Sequence, residues 1–417
     1  MSRLAIFGGD PVIAEPLAPF SRIGVEEERA VVDVVRNGEL SGFIGAPGPE
    51  FDGGVMVRRL EAAWCERFGT GHAVSMNSAT SCLFAAVGAI RAGHGDEIIV
   101  PPYTMSATVM APLVYGAIPV FADIEPETFC IDPARVREAI TDRTRAIIAV
   151  NLFGHPARLH ELRALADERG LMLIEDNAQA PLATENGRYA GTIGHIGVFS
   201  LNRHKHIQTG EGGVCVTADE GLALKLRLIR NHGENLIDHH RLDDAAGLVG
   251  FNYRLTELAA AIGLCQLEKS EAIVAERIHY ATRLTSALSD LPGLTPPVVR
   301  ERCRHVYYVW PARFDADAVG VSRDAFARAL IAEGVPVNQG YVAPLYQLPI
   351  FAQRKAAGGR AYGRGLCPVC EAMHDEQELG LGMCSFELSD GLVDRIADAF
   401  RKVYAHRGEL CRKAASR

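Results

Sequence analysis

Between residues 70 and about 220, short apolar runs rich in β-formers alternate with helix-like segments, and this alternation restricts the fold more than any other feature of the chain. Strands separated by helices pair in parallel, and their helices cover both faces of the sheet. The runs lie at 72–75, 97–100, 119–122, 145–151, 171–175, 197–201 and 213–217. Residues 81–92 and 157–169 read as helices between them, the second with Leu159, Leu162 and Leu165 at helical spacing. The expected class is α/β, with a mostly parallel sheet flanked by helices.

The rest of the 417 residues exceeds what one simple core accommodates. Residues 255–290 carry a wide apolar stripe through Leu255, Leu258, Ala259, Ile262, Leu264 and Leu267, which predicts one or two helices in a core or at a subunit interface. Pro292 and the Pro296-Pro297 pair break the chain, and a new strand-helix unit begins over 304–314. The expected division is therefore a large domain over 1–270 and a smaller C-terminal α+β domain over 271–417. Residues 355–385, rich in Gly and Cys, give no assignable pattern.

With 48% hydrophobic and 23% charged residues, the composition is that of a soluble globular protein. The net charge of −8 is spread without a long block of either sign, which argues against a nucleic-acid surface. The apolar run before Gly8 and Gly9 is too short for a signal-peptide core, and no membrane-length apolar stretch follows, so a cytoplasmic protein is expected. Ten cysteines scattered from Cys65 to Cys411 suit reduced, buried side chains rather than a disulfide framework. The one tight cluster, Cys367-Pro-Val-Cys370 with His374 and Cys384 downstream, suggests zinc or redox chemistry. A lone CxxC without a second is weak support, Pro368 equally suits a turn, and the cluster is expected to be metal-free.

Lysine is scarce: the 43 basic residues include only Lys205, Lys225, Lys269, Lys355, Lys402 and Lys413. Five of these sit in helical or tail contexts among charged neighbours, where a solvated amine is expected. Lys205 instead follows the run at 197–201 and precedes Thr209-Gly-Glu-Gly-Gly213, on a strand-exit loop of the kind where α/β proteins place ligands. A lysine amine forms a Schiff base with an aldehyde such as pyridoxal 5′-phosphate (PLP) when its site leaves part of it neutral. Twenty-nine residues earlier, the strand Leu-Met-Leu-Ile-Glu-Asp ends in Asp176, an acid able to hold a pyridine nitrogen protonated, or alternatively to cap a helix. Between the first strand and its helix lies Asn77-Ser-Ala-Thr-Ser-Cys-Leu83. There Ser78, Thr80, Ser81 and free N–H groups suit either a phosphate or an ordinary cap. No G-x-G-x-x-G and no Gly-Lys pair occurs, so neither a dinucleotide fingerprint nor a P-loop is present.

These residues fall within longer matching segments: NSATSCLFAA, PPYTMSATVMAPLVYGAIPVFADIEPETFCID, IEDNAQA, GVFSLNRHKHIQTGEGG, RNHG and NYRLTELAAAIGLCQL. Over Val74 to Gln266, and more loosely to Val403, the chain resembles the DegT/StrS family of sugar aminotransferases, which share the fold-type I PLP architecture. The resemblance implies Lys205 as the Schiff-base lysine, Asp176 on the pyridine nitrogen, Gln179 beside the ring and its hydroxyl, and Ser200 and Thr80 on the phosphate. It further implies that Asn252, with Arg254, reaches the site of a second subunit in a homodimer with shared sites. Arg254, His204 and Tyr346 are the candidate substrate-binding residues. Three positions depart from the pattern: Ala79 stands where Gly is usual, Met105 where an aromatic often stacks on the cofactor, and residues 41–56 form a longer loop. That loop places the N-terminal segment, 1–60, at the expected acceptor site.

The activity implied is transfer of an amino group from glutamate or glutamine to a keto-sugar, nucleotide-linked, with a keto-cyclitol of the scyllo-inosose type as the alternative acceptor. A dehydratase branch similar to this family carries His at the lysine position; here His204 and His206 flank Lys205 without replacing it. A non-catalytic binding or regulatory protein on the same fold is the alternative of another class. No metal is expected.

Overall fold

The computed structural model describes residues 3–236, 248–352 and 361–414. Seven strands build the main sheet: β1 (His72–Met76), β2 (Glu97–Val100), β3 (Ile118–Phe121), β4 (Thr144–Val150), β5 (Met172–Asp176), β6 (Ile196–Ser200) and β7 (Gly213–Thr217). Their spatial order is β1-β7-β6-β5-β4-β2-β3. Pairing is parallel from β6 through β3, and β7 alone runs against both its neighbours. β2, β3, β6 and β7 are buried at every position, which is why the sequence shows them as unbroken apolar runs rather than as an alternation.

The helices that follow are α1 (Val25–Asn37), α2 (Val55–Phe68), α3 (Ala79–Ala89), α4 (Ala107–Val114), α5 (Pro133–Ala139), α6 (Leu159–Arg169), α7 (Glu220–Arg230) and α8 (Glu257–Leu288). α8 begins at a cap, Thr256, which accepts from the Ala259 N–H, and then runs unbroken for 32 residues. The stripe at 255–290 is thus one helix.

A second sheet joins β8 (Leu294–Thr295), β9 (Val309–Phe314), β10 (Val337–Gln339) and β11 (Glu378–Gly382), all antiparallel, in the order β8-β9-β11-β10. Beside a small cluster of Phe51, Leu228 and Leu236, two large buried clusters result: one around the main sheet, and one containing Trp310, Phe326 and Phe400. α8 serves both, with Ile273 and Val274 in the first and Leu284 and Leu288 in the second. A boundary near residue 270 therefore falls inside a continuous helix.

The chain also crosses that boundary at both ends. Leu4 and Ile13 are buried in the second cluster, and the Ala5 and Val12 N–H groups donate to the Glu333 carboxylate. Conversely Tyr346, Phe351 and Cys370 belong to the first.

Packing overturns one expectation about a reactive side chain. Lys402 is not a solvated amine: it is buried, and its Nζ donates to Glu333 at 2.8 Å and to the Asp10 carbonyl at 3.0 Å. Lys355 and the side chain of Lys413 lie outside the described residues. At the CxxC, Pro368 opens a short helix, Pro368–Ala372, whose Val369 and Cys370 N–H groups donate to the buried Asp123 carboxylate. Burial pushes the Cys367 and Cys370 thiols up, away from the thiolate form that metals bind. Among the described residues, no group of three His, Cys, Asp or Glu is placed to hold a metal. Nor is any helix there long and apolar enough to cross a membrane.

Candidate active site

The parallel strands β4, β5 and β6 deliver their carboxyl ends to one side of the sheet, where open α/β folds bind ligands. A cavity of about 200 Å³ opens there. Its walls come from the end of β5, the loop after β6, the start of α3 and two tyrosines from far along the chain.

Lys205 enters from the loop between β6 and β7. Leu201 N donates to Gly212 O, Thr209 N to Leu201 O and Lys205 N to Asn202 O, so the loop is closed on itself and its lysine is fixed. The side chain is buried, with Nζ 4.2 Å from the centre of the Tyr308 ring. Burial pulls the amine down to about 8, against the opposing pull of the nearby Asp176 carboxylate. A useful neutral fraction therefore exists close to physiological pH. His204 lines the same cavity, its basicity lowered by burial and by the adjacent Lys205 and Arg203 charges. His206 turns the other way and pairs through Nε2 with the Val306 carbonyl at 2.8 Å.

Asp176 closes β5. Its Oδ1 accepts from Ala178 N and its Oδ2 from Thr108 Oγ1, both at 3.2 Å, and burial raises its pKa. No helix starts after it, so helix capping does not account for this acid. Gln179 follows on the turn: its Oε1 accepts from Phe153 N at 2.7 Å and its Nε2 donates to the Tyr341 hydroxyl at 2.9 Å.

At the start of α3, Ser78 is the N-cap and accepts from Ser81 N at 3.0 Å, while Ser81 Oγ donates to Asn77 Oδ1 at 2.6 Å. Ser78 thus caps the helix, and it lines the cavity together with Ala79, Thr80 and Ser200 from the end of β6. A Cβ on Gly213 would fall 2.6 Å from Ala79 N, so the missing side chain there lets β7 run against the helix start. Met105 also lines the cavity and is 58% exposed.

The structure does not gather every candidate. Tyr346 is fully buried away from the cavity, its hydroxyl donating to Glu371 Oε1 at 2.5 Å, because the 3-10 turn Leu345–Gln347 directs it into the first core. Asn252 bridges Asn231 on an exposed segment, and Arg254 Nε donates to Asn231 Oδ1 at 2.8 Å; neither lines the cavity of its own chain. No residue of 3–60 lines it either. The 41–56 loop is tied down elsewhere, by Asn231 Nδ2 on the Ile44 and Phe51 carbonyls and by Glu257 beneath the first turn of α2.

Tyr308 and Tyr341 line the cavity and were not expected from sequence. Both arrive from around the second sheet, more than a hundred residues after Lys205, and no local pattern marks either.

The model of the DegT/DnrJ/EryC1/StrS aminotransferase family matches residues 45–401. The chain is 33% identical to the spore coat polysaccharide biosynthesis protein SpsC of Bacillus subtilis, over 78% of this chain and 84% of that one. It is also 33% identical to the L-glutamine:2-deoxy-scyllo-inosose aminotransferase of Streptomyces kanamyceticus, over 98% of each. The crystal structure of DesI in the presence of its TDP-sugar product superposes with a TM-score of 0.83, at 29% identity over 99% of both chains. With its mostly parallel sheet, its strand-end cavity and a family match over most of its length, the chain belongs to the DegT/DnrJ/EryC1/StrS family and is an aminotransferase of the fold-type I architecture.

Proposed function

We propose that this aminotransferase works with pyridoxal 5′-phosphate held at Lys205 and passes an amino group from glutamate or glutamine to a nucleotide-linked keto-sugar. The observation that carries the reading is the buried Lys205 amine, depressed to about 8, sharing one cavity with a strand-end carboxylate and a helix N-terminus. This donor set fits the cofactor: an amine for its aldehyde, Asp176 for its ring nitrogen, and the start of α3 with Thr80 and Ser200 for its phosphate. The close approach of β7 at Gly213 brings the Gly212 backbone to the same wall.

When bound, PLP supplies an electron sink for the carbon that gains or loses the amino group. Asp176 keeps the ring nitrogen protonated. Lys205, the one amine on the cavity wall, would carry the proton to and from the reacting carbon. Gln179, whose amide is already oriented by Phe153 N, would lie beside the ring. On the same walls, Met105 would pack against the cofactor ring and His204 would face the acceptor.

Asn252 and Arg254 lie outside their own cavity, and we assign them to the site of a second copy in a homodimer with shared sites. The N-terminal segment contributes to the acceptor site by the same route. The division into a large and a small domain is taken to follow the two cores, and the working compartment to be the cytoplasm.

A keto-cyclitol acceptor is the second reading, favoured by the match along 98% of the L-glutamine:2-deoxy-scyllo-inosose aminotransferase. Incubation of the PLP-loaded enzyme with glutamine or glutamate and a panel of nucleotide-linked keto-sugars and keto-cyclitols separates the readings by mass spectrometry of the amine formed. An aminated nucleotide sugar supports the first, an aminated cyclitol alone supports the second, and no amine from any acceptor of the panel would contradict both.

A further inference from the structure

Tyr341 reaches the cavity from the loop after β10, and its position is tightly determined. Its backbone N–H donates to the Tyr103 hydroxyl at 2.7 Å, and its ring stands edge-on to Phe153 with centroids 5.2 Å apart. Gly340 before it has φ +74°, and a Cβ there would come within 2.5 Å of the His374 carbonyl oxygen. Burial keeps the phenol neutral, with a pKa of about 12.

The hydrogen bonding around its oxygen has a definite direction. Gln179 Oε1 accepts from Phe153 N, so the amide cannot be reversed and its nitrogen is the atom facing Tyr341. The Tyr341 oxygen is therefore an acceptor in that contact, and its own O–H proton has no acceptor recorded among the described residues. Gln179 likewise spends one of its two amide N–H groups on Tyr341. Two unspent donors thus sit side by side on the cavity wall that Asp176 also lines. Both face the open cavity, where a bound molecule that supplies an acceptor would take them in place of water.

We propose that Tyr341 is a ligand-binding residue, whose hydroxyl donates, together with the free amide N–H of Gln179, to an electron-rich oxygen of a molecule held in the cavity. The inference rests on Lys205 holding PLP. Two oxygens share the required chemistry: the ring oxygen of the cofactor and an oxygen of the keto-acceptor.

Tyr341→Phe removes one oxygen and keeps the ring against Phe153 and Tyr103. Borohydride reduction of the PLP-loaded wild type and variant, read by peptide mass, first establishes that both carry the cofactor on Lys205. If the ring oxygen is the partner, the variant shows a displaced visible absorption band and a cofactor dissociation constant raised by roughly tenfold, the scale of one charge-assisted hydrogen bond. If the acceptor oxygen is the partner, band and dissociation constant stay put while KM for the acceptor rises by a similar factor and KM for the amino donor does not. Either result supports the inference. Band, dissociation constant and acceptor KM all within twofold of wild type, with the Lys205 adduct intact, would overturn it and leave the cofactor reading standing. An absent adduct in the wild type would overturn both.

Discussion

The Lys205 amine stands 4.2 Å from the centre of the Tyr308 ring, so the one lysine in the cavity rests against an aromatic face. That face favours the ammonium by about 1 kcal/mol, while burial disfavours it, and burial wins because the amine is pulled from 10.5 to about 8. The neutral amine is the nucleophile. Attachment of PLP to the apo-enzyme should therefore accelerate as the pH rises from 7 to 9, with a midpoint near 8, in stopped-flow absorbance. A midpoint near that of free lysine would contradict the burial argument.

Tyr308→Leu removes the cation's partner and keeps an apolar wall. The attachment midpoint should move down by roughly half a unit to one unit, following the loss of about 1 kcal/mol. Tyr308→Phe, which retains the ring, should stay close to wild type; equal shifts in the two variants would mean that the hydroxyl matters and the face does not.

Asp176→Asn should still bind cofactor, since the lysine and the α3 start are untouched, but should lose activity by about a hundredfold or more. A neutral amide does not hold the ring nitrogen protonated, and the electron sink weakens. Near-wild-type turnover in this variant would reduce Asp176 to a structural acceptor for Ala178 N and Thr108 Oγ1.

His155 and His206 are buried in neutral form, each with its basicity lowered to about 4, chiefly by desolvation. Below pH 6.5 the unfolded chain takes up protons that these folded histidines refuse. Stability is therefore full above pH 6.5 and falls as the pH drops toward 4, by about 2 kcal/mol per histidine at pH 5. Urea titrations of the apo-protein at pH 7 and pH 5 should show a clear drop in midpoint, and an unchanged midpoint would mean that the pair titrates normally.

The main sheet was legible because its strands are buried runs closed by turns. The run at 97–100 and the run at 213–217 coincide with β2 and β7, and the other five shift by about one residue at one or both ends. Lys205 and Asp176 were legible for a related reason: each stands at or just beyond the carboxyl end of such a run. Tyr308 and Tyr341 were not, because what brings them to the cavity is the docking of the second sheet, a contact without local sequence pattern. Tyr346 was a candidate for the cavity, yet the turn at Leu345–Gln347 sends it to Glu371 instead. Lys402 looked solvated because its partner, Glu333, lies 69 residues away.

The most direct test of the account is to reduce the PLP-loaded enzyme with borohydride and locate the cofactor by peptide mass, in the wild type and in Lys205→Ala. The account predicts one adduct, on Lys205, in the wild type, and neither adduct nor transamination in the variant. A cofactor adduct on any other lysine, or turnover surviving in Lys205→Ala, would contradict it.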